Sequence, residues 1–161
     1  MPSCQLVMKV LNTNNKLRPT MKLQPKINVI TLAVADLQRS TDFYSEVFGW
    51  QPSTDSNENI TFLKLNGVLL SLYPKAKLAE DATVQAAGEG FRGVTMAHIA
   101  ASEAEVDDIF AHMASHNVTI VKPAEKAFWG GYSGYIADPD GHLWEIAYNP
   151  YMKQDEHGNV I

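Results

Sequence analysis

The residues with the most chemical promise stand close together near the end of the chain. Glu145 lies in the run Leu143-Trp144-Glu145-Ile146-Ala147-Tyr148. Side chains alternate across a strand, so Glu145 shares a face with Leu143 and Ala147 while Trp144, Ile146 and Tyr148 take the other. Apolar walls raise a carboxylate's pKa toward the working range, which suits a general base, and the same walls suit a hydrogen-bond anchor for a ligand. The structural alternative is a strand carboxylate that meets solvent or an arginine.

Aromatic side chains supply the second kind of site material. Trp129, Tyr132 and Tyr135 alternate with Gly130, Gly131 and Gly134, so a permissive backbone carries large flat rings. With Trp50 and Tyr73 they suggest walls for a small organic ligand, each ring having a core or dimer contact as its alternative role. The histidines are less pointed. His98 falls on the helix-facing side of its strand by parity, although a bulge would swing it beside Glu145. His112 and His116 have the i, i+4 spacing of a metal pair on what reads as a solvated helix face. His142 sits at a turn and His157 in a polar tail.

Those residues need a scaffold. Ile27 to Ala35 reads as a strand, and Asp36 as the cap of a helix with Leu37, Phe43, Tyr44, Val47 and Phe48 on one stripe, ending at Gly49. Trp50 to Ser53 reads as a short strand. Ile60 to Leu65 and Val68 to Tyr73 form a hairpin about Asn66-Gly67. Lys75 to Gly90 is a polar, Ala-rich connector. The order then repeats: Val94 to Ala101 as strand, Ser102 as cap of a helix with Val106, Ile109, Phe110 and Met113 inward, Val118 to Val121 as strand, and a hairpin about Asp138-Pro139-Asp140-Gly141.

Aligning the repeats pairs Val29 with Thr95 and Ser71 with Glu145. On that basis Val29, Thr31 and Ala33 line the face away from the helix, as do Thr95 and Ala97. The domain plan is an extension over 1–25, one domain over 26–150 with modules 27–74 and 93–149 joined by 75–92, and a tail over 151–161.

Composition bounds the function. With 161 residues and 45% hydrophobic content, a single core is expected. The net charge of −5, with acids and bases interspersed, offers no basic patch for nucleic acid or for a membrane surface. No apolar run is long enough to span a bilayer, and no signal-peptide pattern opens the chain. A single cysteine, Cys4, fits a reducing, cytoplasmic setting.

The segment Ile30-Thr31-Leu32-Ala33-Val34-Ala35-Asp36-Leu37 with Ser40, Phe43 and Tyr44, and the closing Asp138-Pro139-Asp140-Gly141-His142 through Glu145, resemble the glyoxalase, bleomycin-resistance and extradiol-dioxygenase superfamily, the vicinal oxygen chelate proteins. The resemblance covers roughly residues 26 to 150. It implies an α+β fold of two βαβββ modules whose curved mixed sheet surrounds a concave cleft. It also implies metal ligands on the first and last strands of each module, places held here by Val29, Ser71, Thr95 and Glu145. Only Glu145 is of the ligating type, because neutral Ser and Thr hydroxyls bind transition metals poorly.

Two functional classes follow. The first is a small-molecule-binding protein without a complete metal site and with no cofactor, resembling the bleomycin-resistance proteins. The second is a lyase, isomerase or dioxygenase in which Glu145 acts as general base or as ligand to a divalent metal, with His98 as the candidate second ligand. In either case the expected contacts to a small organic ligand are Thr31, Ser71, Tyr73, Thr95, Trp129, Tyr132 and Tyr135 beside Glu145, in a cytoplasmic homodimer.

Overall fold

The computed structural model describes residues 25–88 and 90–161. Cys4 and nearly all of the expected N-terminal extension lie outside the described residues. The first module opens with β1 (Val29–Val34), whose Leu32 and Val34 are buried, followed by α1 (Leu37–Asp42). Asp36 is extended and its carboxylate accepts the Arg39 N–H at 3.0 Å, satisfying a backbone donor that the helix itself leaves unpaired. The helix then widens into a π turn over Phe43–Val47. Gly49 leaves it at φ +74°, a conformation open to glycine at little cost.

Strands β2 (Thr61–Lys64) and β3 (Leu69–Pro74) complete the first sheet in the order β1-β3-β2, with β1 parallel and β2 antiparallel to the middle strand. The short strand expected at 50–53 is reduced to a single bridge, Pro52 to Leu63. Proline has no N–H to extend a ladder. Part of the Ala-rich connector is the helix α2 (Lys75–Asp81), in keeping with its Ala, Leu and Lys content.

The second module repeats the plan with β4 (Met96–Ile99), α3 (Glu103–Ser115), β5 (Thr119–Lys126), β6 (Tyr132–Ala137) and β7 (Leu143–Tyr148). Its sheet runs β4-β7-β6-β5, with β4 parallel to β7 and the other pairs antiparallel. Ser102 caps α3 by accepting the Glu105 N–H at 3.1 Å, and the Glu105 carboxylate reaches back to the Ala101 N–H at 2.7 Å. Strand β5 runs well past Val121 and lies at the edge of the sheet. Register shifts on either side of Lys122 let it carry Pro123 without breaking the ladder.

Gly134 faces that irregular stretch. A Cβ there would stand 2.6 Å from the Lys122 carbonyl oxygen and 2.5 Å from the Phe110 ring, so this glycine serves close packing of strand against strand and helix. The fold is therefore α+β, two modules in mixed sheets of three and four strands, the first following the βαβββ plan with one strand reduced to the Pro52 bridge, and among the described residues there is no closed barrel.

The modules are joined by the turn between β6 and β7. Asp138 accepts the N–H groups of Asp140 and His142 at 2.9 and 2.8 Å, closing the turn on itself. Its other oxygen accepts the fully buried Tyr44 hydroxyl at 2.7 Å and the His142 Nδ1 at 2.8 Å. Trp144 Nε1 then donates to Tyr44 at 3.2 Å. Asp140 binds the start of α1, accepting from the Ala35 N–H at 2.8 Å, Arg39 at 3.0 Å and the Ser40 hydroxyl at 2.5 Å.

Burial alone would push the Asp138 carboxyl up, but the hydrogen bonds from His142 and Tyr44 outweigh it and hold the group below the usual range. Burial, with the Asp138 charge added, pushes the Tyr44 phenol far above its ordinary range. The tail adds a second tie between modules: Gln154 donates to the Ile99 carbonyl at 3.2 Å, and the His157 carbonyl accepts from Asn66 at 2.7 Å.

Candidate functional site

Strand pairing decides which side chains share a face. In the second sheet Ala97 stands opposite Glu145, Glu145 opposite Tyr135, and Tyr135 opposite Lys122, so one row of side chains crosses four strands. Leu143 and Ala147 flank Glu145 on the same face. Glu145 is half-buried, and Tyr135 is its nearest polar neighbour across the ladder. Burial, then the charge and hydrogen bonding of Glu145, push the Tyr135 phenol up, so the pair is a carboxylate beside a firmly protonated phenol. Lys122 is turned to its own strand, where it pairs with Glu125 at 2.8 Å.

The first sheet carries the matching row. Thr31 stands opposite Ser71, and Ser71 opposite Phe62. The two hydroxyls bond each other at 2.6 Å, and Ser71 is only 1% exposed. That pair is satisfied within the sheet. Val29 is exposed at the edge of the same face, and Thr95 lies just before β4, two residues from Ala97.

The other expected contacts are dispersed. Tyr73 stands beside Lys77, Glu80 and Asp81 of α2. Tyr132 is on the helix-facing side of β6, and its hydroxyl donates to Asp107 of α3 at 2.8 Å. The Trp129 ring folds over Gly131, where a Cβ would meet the indole at 1.8 Å; this glycine exists to admit the ring. Tyr132 is not brought to Glu145, and parity alone was enough to separate it from Tyr135.

His98 stands opposite Ile146, on the face of the sheet away from Glu145, with Ile109 and Met113 of α3 around it. The two residues do not converge. His112 and His116 stack at 4.3 Å between ring centroids, but His112 Nε2 is engaged by the Val47 carbonyl at 2.8 Å and His116 Nδ1 by the His112 carbonyl at 3.0 Å. His142 has a partner four residues earlier, the buried Asp138.

The donor set can be weighed against a divalent metal on these positions. Ser71 is committed to Thr31, Val29 has no lone pair, and Glu145 has Ala97 and Tyr135 as its row neighbours. Among the described residues no three of His, Cys, Asp and Glu come together as a site for an ion. The residues at the four corners do not fit a transition metal. Among the described residues, no helix is long and apolar enough to cross a membrane.

Comparison with known proteins agrees with this architecture. A solved glyoxalase-related enzyme from Fulvimarina pelagi is 36% identical, covers 86% of this chain and 98% of its own, and superposes with a TM-score of 0.78. A lactoylglutathione lyase from Agrobacterium tumefaciens shares the fold at 24% identity and a TM-score of 0.62, covering 79% of this chain and 96% of that one. The metallothiol transferase FosB of Lysinibacillus sphaericus is 29% identical over 122 residues, 74% of this chain and 79% of the transferase. Residues 26–146 match the family described as the Glyoxalase/Bleomycin resistance protein/Dioxygenase superfamily, and with the paired modules and the Asp138 turn in view the chain belongs to it.

Proposed function

We infer that this chain binds a small organic molecule on the open face of its second sheet, anchored by Glu145 and Tyr135, without a resident metal. One observation carries the reading: of the two equivalent rows, only the second has a polar group, Glu145, whose β4 neighbour cannot bond it, since Ala97 stands where the first row has Thr31. A half-buried carboxylate that accepts from a protonated phenol keeps acceptor sites of its own for a ligand, with the phenol oxygen as a second acceptor beside them.

The same pair favours a second reading, in which Glu145 removes a proton from a bound substrate and the Tyr135 hydroxyl turns from the newly protonated acid to donate to the developing oxyanion. A lyase or isomerase would work this way. The relatives named as metallothiol transferase and lactoylglutathione lyase support small-molecule chemistry on this fold.

Pairing with a second copy belongs to the proposal too. β1 and β4 are edge strands, and Val29 and Val94 near them are 49% and 63% exposed, apolar surface that a partner would cover. The single cysteine fits a cytoplasmic setting.

The test is a thermal-shift screen of small carbonyl, thiol and amine compounds against wild type, Glu145→Gln and Tyr135→Phe, with elemental analysis of the purified protein. Hits that stabilise wild type and lose their effect in Glu145→Gln support the reading. Stoichiometric zinc, nickel or iron that leaves with the Glu145→Gln substitution would overturn its metal-free part, and hits indifferent to both substitutions would overturn the site.

A further inference from the structure

The face of β7 opposite Glu145 borders a cavity of about 350 Å³, near the small end of the range that holds compact ligands. It lies between the modules. Val47, Phe48 and Trp50 come from the first, and His98, Asp108, Ile109, His112, Met113, Trp144 and Ile146 from the second. The π turn explains the first wall. By widening the helix over Phe43–Val47 it delivers Val47 and Phe48 to the gap, and the Val47 carbonyl is met by His112.

Three rings form the apolar lining. Phe48 and Trp50 have centroids 4.9 Å apart at 87°, and Trp144 lies 5.4 Å from each, at 76° and 70°. The Trp144 N–H is already given to Tyr44, so this indole offers a ligand its ring alone. The polar part of the lining is one-sided. Among the described residues that line it, Asp108 is the one carboxylate and there is no lysine or arginine. A carbonyl can only accept, so His112 presents an Nε2–H to Val47.

Aromatic faces with a carboxylate, and no lysine or arginine among the described lining residues, suit a cation. We propose that this inter-module cavity is a second binding site, for an organic ammonium compound with one or two rings: the rings lie among Phe48, Trp50 and Trp144 and the ammonium faces Asp108. It is separate from the Glu145 face, because alternate residues of β7 serve the two sides.

Phenethylamine and its anionic counterpart phenylacetate are the probes, titrated by tryptophan fluorescence in a Trp129→Phe background so that Trp50 and Trp144 alone report. Phenethylamine is expected to bind one per chain and about threefold or more tighter than phenylacetate, the discrimination a solvent-exposed charge contact gives. Asp108→Asn should abolish the preference, and Asp108→Lys, on an exposed helix position, should invert it.

Equal binding of the two probes, a preference unchanged in Asp108→Asn, or no fluorescence response to either would overturn the proposal. So would sedimentation showing a dimer that Trp50→Ala dissociates with no amine bound, which would make the cavity wall a contact between copies.

Discussion

The two modules share a plan and differ in what they do with it. At matching places the first sheet carries Thr31, Ser71 and Phe62 across its strands, and the second carries Ala97, Glu145 and Tyr135. The first row closes on itself through one hydroxyl–hydroxyl bond at 2.6 Å. The second pairs an acid with a methyl on one side and a phenol on the other. The hairpin turns diverge in the same way. Asn66-Gly67 of the first module holds only the tail, while Asp138 to Gly141 of the second grips α1 of its neighbour. A repeated fold thus leaves one module to be scaffold and the other to carry chemistry, with the division set by three or four side chains.

The sharpest way to break the comparison is at the turns. Asp138→Ala leaves the buried Tyr44 hydroxyl without an acceptor and opens the turn, and should cost about 3 kcal/mol in urea unfolding, whereas Asn66→Ala in the equivalent turn should cost under about 1 kcal/mol. The pH dependence has a definite sign. Asp138 is held below its ordinary pKa in the folded state, so its contribution is present above about pH 4 and is lost as pH falls through the lower folded value. Unfolding midpoints measured against pH should therefore fall more steeply on the acid side in wild type than in Asp138→Asn.

Next in size, Ser71→Glu would give the first row the second row's acid at a position with no solvent. Burying a carboxylate beside Phe62 should cost about 2–3 kcal/mol, read by thermal unfolding, where Ser71→Ala should cost about 1 kcal/mol. Gly134→Ala tests a feature the first module lacks, since its Cβ would press on the Lys122 carbonyl; a loss of about 2 kcal/mol in the same assay is expected. The smallest effect on stability belongs to Ala97→Thr. It gives the second row the first row's hydroxyl, should change unfolding by less than about 0.5 kcal/mol, and should weaken any ligand found at Glu145 by occupying its carboxylate.

Much of this was legible in residue order. Alternation marked β1, β3 and β7, and turn chemistry marked both hairpins, with Gly67 at φ +71° and Gly141 at φ +82° as such turns require. Both helix caps acted as their residue types predict. What was not legible depends on contacts distant in sequence. Asp138 reads as a turn residue, and only the docked modules reveal Tyr44, 94 positions earlier, as its partner. The π turn has no sequence signature, and it arises where Phe43, Tyr44 and Phe48 must pack together and against the second module's Trp144. The aromatic cluster at Trp129 to Tyr135 looked like one wall because composition carries no direction. In the structure Trp129 covers Gly131, Tyr132 serves α3, and Tyr135 stands beside Glu145.

Strand β7 is a partition as well as a ladder, with Glu145 on one side and Trp144 and Ile146 on the other. Point substitutions can therefore reshape either surface while leaving its neighbour intact, so the two can diverge at separate rates. A single inserted residue within the strand would exchange them wholesale, sending the indole outward and the acid into the aromatic interior. Length in this segment should thus be far less free to vary over evolutionary time than the identity of its side chains.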